Sequence, residues 1–68
     1  MSQADVIERL YYLPNTTVRD LSVILNLSEA SVKMNIARLK KVKYVMVSEK
    51  GGYRLTSKGK DFAERFYI

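Results

Sequence analysis

Val6, Ile7, Leu10 and Leu13 recur at helical spacing and predict a first amphipathic helix beginning at Ser2. Ser2 and Asp5 form a short capping pair at its start. Pro14 ends it, because the residue before a proline avoids the helical region. Tyr11 and Ala4 lie beside the stripe and Tyr12 on its other flank, so the apolar surface is broader than one core contact needs. Asn15-Thr16-Thr17 reads as a turn and cap cluster, and Thr17 with Asp20 marks a second helix start. This second helix covers 18–25, with Val18, Leu21, Ile24 and Leu25 inward. Asn26 suits a left-handed C-terminal cap, Leu27 plugs the turn, and Ser28 caps a third helix over 29–41. Val32, Ile36 and Leu39 fall within about 60° of one another at 100° per residue, so they face the core. The opposite face carries Ala30, Met34, Ala37, Arg38 and Lys41, with Ser31 and Lys33 at its edges. It is flat at its N-terminal end and basic toward its C-terminus.

After Lys43 the period changes from helical to alternating. Val45 and Val47 are expected on one side, Met46 and Ser48 on the other. Glu49-Lys50-Gly51-Gly52 reads as a hairpin turn whose glycines supply positive φ. Tyr53, Arg54 and Leu55 form the return strand, with Arg54 outward. Thr56 or Ser57 caps a last helix in which Phe62 and Phe66 are four residues apart, and Phe66 is expected in the core. Without a repeat or linker, residues 1–68 read as a single α+β domain: a three-helix core, a two-stranded β-hairpin and a C-terminal helix.

Charge sharpens this picture. Residues 1–27 carry two bases against three acids, whereas residues 28–68 carry ten bases against four acids, giving the net +5 of the chain. A near-neutral half joined to a strongly basic one points to a polyanionic partner. The chain has no Cys and no His, which removes disulfides, Cys/His zinc sites, thiol nucleophiles and His-based triads. With no phosphate-binding Gly-rich motif and no evident carboxylate pair, an enzyme is not expected, nor any cofactor or metal. A polar start and the lack of an apolar run near 18 residues argue against a signal peptide or membrane partner. The expected location is cytoplasmic, at the nucleoid or in a host cytoplasm.

Two helices joined by a tight turn and followed by a basic hairpin follow the winged helix-turn-helix plan. Thr17-Val18-Arg19-Asp20-Leu21-Ser22-Val23-Ile24-Leu25-Asn26-Leu27-Ser28 resembles the positioning helix and turn of bacterial and archaeal winged-helix regulators. Tyr53-Arg54-Leu55-Thr56-Ser57-Lys58-Gly59-Lys60 resembles the Y-x-L-T-x-x-G stretch that closes the wing in MarR- and PadR-type proteins. Lys43 stands where such families often have Gly, so either the turn is strained or it differs here. The long terminal helices that form the ligand pocket of MarR-type dimers are missing, and no small-molecule effector is expected. In size the chain resembles minimal regulators of archaeal plasmids and viruses.

The resemblance implies a sequence-specific double-stranded DNA-binding transcription regulator, expected to repress. Helix 29–41 would enter the major groove, with the wing 44–55 on the adjacent minor groove or backbone. Ala30, Ser31, Lys33, Met34, Asn35 and Arg38 are then the candidates for reading base edges. Asn35 suits adenine, Lys33 or Arg38 guanine, and Ala30 and Met34 thymine methyls. Thr16, Thr17, Arg19, Lys40, Lys41 and Lys43 are candidates for the phosphate backbone, and Lys50 and Arg54 for wing contacts. Tyr11 and Tyr67 are candidates for a homodimer patch. The alternative is a winged-helix protein–protein interaction module within a larger complex. It would predict an uncharged third helix, whereas Lys33, Arg38, Lys40, Lys41 and Lys43 lie on or just past this one.

Overall fold

The computed structural model describes residues 2–67, with side chains from residue 3. The elements follow the expected order: α1 (Ser2–Tyr12), α2 (Val18–Leu25), α3 (Glu29–Lys41), β1 (Val45–Val47), β2 (Tyr53–Leu55) and α4 (Ser57–Phe66). The capping role expected of the Ser2 side chain lies outside the described residues.

The helix boundaries follow local chemistry. Thr17 Oγ1 accepts from the Asp20 N–H, Ser28 Oγ from the Ser31 N–H, and Thr56 Oγ1 from the Gly59 N–H, each at 3.0–3.1 Å. Each bond satisfies a donor that a helix start leaves without a partner. Asn26 closes α2 in the left-handed region at φ 55°, and the Leu27 N–H then reaches back to the Ser22 carbonyl at 3.0 Å. Lys43 also takes a left-handed φ of 69°, so of the two turns expected at this position the strained one is adopted.

The core gathers one stripe from each helix. Val6, Ile7 and Leu10 of α1, Leu21 of α2, Val32, Ile36 and Leu39 of α3, Val45 and Leu55 of the hairpin and Ala63 of α4 are buried. Three expected core positions are not. Leu13 and Ile24 are exposed: Leu13 falls beyond the end of α1, and Ile24 lies on the outer side of a two-turn helix that buries only Leu21 completely. Phe66 is 64% exposed because α4 runs past the core; it keeps its predicted neighbour, with ring centroids 4.8 Å from Phe62.

The strands are antiparallel, pairing Val45 with Leu55, Met46 with Arg54 and Val47 with Tyr53. The predicted alternation fails at the tip. Val47 is 55% exposed and Ser48 only 6%. Ser48 leaves the strand pattern to serve the turn: its hydroxyl donates to the Asn15 side chain and accepts from the Lys50 N–H. Gly51 and Gly52 close this turn at φ 88° and 77°. Tyr53 also bonds on its other edge, donating to the Thr16 carbonyl and accepting from the Asn15 N–H, both at 2.9 Å. Thr16 is thus an isolated antiparallel bridge partner of β2. The sequence pattern alone had suggested only a turn there.

Candidate nucleic-acid interface

Burying Val32, Ile36 and Leu39 fixes the roll of α3, and helical geometry then dictates what faces outward. Ala30, Lys33, Met34, Ala37, Arg38, Lys40 and Lys41 are exposed and Ser31 is half-buried. Met34, an apolar side chain, is 56% exposed on that face. The N-terminal half of α3 therefore offers Ala30 and Ser31 for close approach beside Lys33 and Met34, and its C-terminal half adds Arg38, Lys40 and Lys41.

Two of the expected contact residues are turned inward. Asn35 is 7% exposed, and its side-chain amide donates to the Ser31 carbonyl at 2.9 Å. At 100° per residue it lies beside the core stripe, so packing and a backbone bond occupy it, and it leaves the base-edge set. Thr16 is buried beside β2 with its hydroxyl donating to the Leu13 carbonyl, so it is not available to a phosphate. Thr17 and Arg19 remain exposed at the start of α2.

The wing sits beside the C-terminal half of α3, where the Lys40 ammonium lies 5.9 Å from the centroid of the Tyr53 ring. Successive residues of a strand point to opposite faces, so Arg54 is directed away from that side. Arg54 shares a cleft with Leu10, Tyr11, Pro14, Leu55 and Lys60, over the end of α1. Both wing cations are exposed, and they line one further cleft at the hairpin turn with Asn15, Ser48 and Glu49. Lys43 is exposed in the passage from α3 to β1.

Tyr11 is drawn into a contact within the chain, donating its hydroxyl to Glu64 Oε2 at 2.7 Å. That bond to a carboxylate raises the Tyr11 pKa above its ordinary value. Tyr67 packs edge-on against Phe62 at 5.6 Å between centroids. The exposed aromatic surface of the terminal helices therefore comes from Tyr12, Phe66 and Tyr67, with Tyr11 bound to α4.

Lys58 had not been singled out. Its ammonium reaches back to the end of α3 and donates to the Val42 carbonyl at 3.0 Å. Spacing gives no hint of a contact across 16 residues; only the resemblance of the Thr56–Gly59 stretch marked this region.

No protein-family model and no curated protein matches the chain. Solved structures do. A MarR/EmrR family transcriptional regulator from Acinetobacter sp. ADP1 superposes with a TM-score of 0.85 and 27% identity, over 93% of this chain and 46% of that one. The transcriptional regulator Tm0710 from Thermotoga maritima gives 0.83 and 24% identity, over 94% and 48%. T. acidophilum IdeR gives 0.76 and 33% identity, over 96% and 31%. The chain spans less than half the length of each of these proteins, and the likeness is one of winged helix-turn-helix architecture.

Proposed function

We propose that this winged helix-turn-helix chain is a sequence-specific, double-stranded DNA-binding transcription regulator. The observation that carries the reading is the outward face of α3. With Val32, Ile36 and Leu39 buried, Ala30, Lys33, Met34, Arg38 and Lys41 are left exposed on one groove-sized helix. Two of the similar structures are transcriptional regulators by name, which supports the same role. In this role α3 enters the major groove, where Lys33 and Arg38 reach guanine edges and Ala30 and Met34 meet thymine methyls. Ser31 stands at the edge of the same face. Thr17, Arg19, Lys40, Lys41 and Lys43 follow the phosphates, and Lys50 brings the wing to the adjacent minor groove or backbone. A domain seated in this way excludes other proteins from its site, so repression by occlusion is the output we assign. The setting that this role implies is the nucleoid or a host cytoplasm, where duplex DNA is met.

Binding to random and selected duplexes across a salt series tests the reading. With five or more phosphate contacts, affinity falls by at least about tenfold between about 50 and 200 mM salt. Lys33→Ala and Arg38→Ala each cost about 1–3 kcal/mol and relax base preference at the contacted position. Equal losses on every sequence would make both residues backbone contacts. A flat salt response would remove DNA as the partner and favour a protein-interaction module.

The regulator acts as a homodimer in this proposal, joined through the exposed aromatics Tyr12, Phe66 and Tyr67 at the ends of α1 and α4. Two copies would then present their α3 helices about 34 Å apart on a palindromic site. Sedimentation at micromolar concentration is expected to show a dimer on a palindromic duplex. A monomer both free and bound would refute this arrangement.

A further inference from the structure

Three successive carbonyls mark the passage from α3 into the hairpin, and all three accept from the beginning of α4. The Val42 carbonyl accepts from Lys58 Nζ at 3.0 Å, the Lys43 carbonyl from Thr56 Oγ1, and the Tyr44 carbonyl from the Thr56 N–H at 2.9 Å. The Lys58 ammonium also stands 5.2 Å from the centroid of the Tyr44 ring. This passage contains the left-handed Lys43, and its direction sets how the hairpin leaves α3. A cation at the C-terminal end of a helix meets carbonyls that carry partial negative charge, so the contact is favourable on electrostatic grounds as well.

We infer that Lys58 is a positioning residue for the duplex-binding surface: it holds α3 and the wing at one mutual angle and does not itself grip the DNA. The role rests on the DNA-binding reading above. Lys58 is exposed and has the charge of a phosphate contact, but one N–H of its ammonium is committed to a carbonyl and the group lies near an aromatic ring. Its effect on binding therefore passes through geometry. A latch on the α3–wing passage matters because phosphates on a duplex have fixed spacing, and two separately mobile elements would meet them with a larger loss of conformational freedom.

Lys58→Met keeps the apolar stem and removes the ammonium; Lys58→Arg restores a cationic donor. Two readouts are compared. In the free protein, amide exchange is followed at Tyr44, whose N–H donates to the Leu39 carbonyl, and at Thr56, whose N–H donates to the Tyr44 carbonyl. In the complex, affinity for a selected duplex is measured across salt. Lys58→Met is expected to speed exchange at both amides and weaken binding about three- to fivefold, the worth of roughly one hydrogen bond. The slope of affinity against salt stays unchanged, and Lys58→Arg recovers both readouts. A slope reduced by about one unit with unaltered exchange would make Lys58 a phosphate contact and overturn the inference. Unaltered exchange with unaltered affinity would overturn it too. A wild-type chain that binds no duplex sinks the functional reading and this role with it, whereas the exchange measurement still decides whether the latch exists.

Discussion

Gly59→Ala is expected to unfold the domain or come close to it. A Cβ at this position would sit 2.1 Å from the Tyr44 carbonyl oxygen, 2.9 Å from its carbonyl carbon and 3.1 Å from its Cα. All three atoms are backbone, so no side chain can swing aside. The passage that would have to move is the one held by Thr56 and Lys58, with Val45 of the core immediately after it. Glycine to alanine in an exposed helix normally stabilises by about 0.5–1 kcal/mol. Here the sign reverses, and the loss is about 3 kcal/mol or more, at the upper end of overpacking penalties. A domain of this size has a total stability on the order of 3–10 kcal/mol. The expected fall in melting temperature is roughly 15–20 °C by circular dichroism. Gly51→Ala is the control. Nothing lies within 4 Å of its missing Cβ, and only its φ of 88° opposes a side chain, so it loses about 1–2 kcal/mol. A Gly59→Ala chain that melts within a few degrees of wild type would mean that α4 does not pack on the α3–wing passage as described.

The cost at Gly59 also shows where reading the sequence reaches its limit. Caps and turns were legible because their chemistry is local. Thr17 and Ser28 each act on the N–H three residues ahead, as does Thr56, which local chemistry left open with Ser57, and Asn26 needs only its own tolerance of positive φ. The buried stripe of α3 was legible because its period is sampled over 13 residues. The hairpin strands are three residues each, and so short a pattern cannot tell that the core stops at Val45 and leaves Val47 in solvent. Period also tells which residues share a helix face without telling how far the covering core extends, which is why Phe66 was misplaced. Contacts between distant segments leave no local trace. Thr16 beside Tyr53, Ser48 on Asn15, and Lys58 on Val42 are settled only by the fold.

The same distinction separates cations that the sequence could only count together. Alternation along β2 marked Arg54 as outward, and charge clustering then joined it to α3. Arg54 lies opposite the strand face that meets Lys40, and it lines clefts over the end of α1 and, with Lys50, at the hairpin turn. Asn35 is the converse case. Its residue type suits adenine, yet its position beside the core stripe gives its amide to the Ser31 carbonyl. Chemistry legible in the side chain was overruled in both cases by which face the backbone presents.

Two charge reversals of equal size put that distinction to a measurement with a large expected difference. Arg38→Glu with Lys41→Glu, and Lys60→Glu with Arg65→Glu, each remove four units of charge from a chain of net charge +5. All four residues are exposed, so neither pair should compromise folding, and thermal melts check this. The α3 pair removes contacts worth about 1–3 kcal/mol each and sets carboxylates against phosphates, so duplex affinity falls by about a thousandfold. The second pair changes the total charge equally, but on the face of α4, where Lys60 lines the cleft over the end of α1 and Arg65 pairs with Asp61. At 0.15 M salt the screening length is about 8 Å, so charges on that face are felt weakly by a duplex lying on α3. Its loss is expected to stay below about tenfold, and to shrink further as salt rises. A comparable loss from both pairs would mean that affinity follows total charge with no preferred face, and α3 would then have no claim to be the reading helix. A greater loss from Lys60 and Arg65 would move the duplex to the α4 side of the domain.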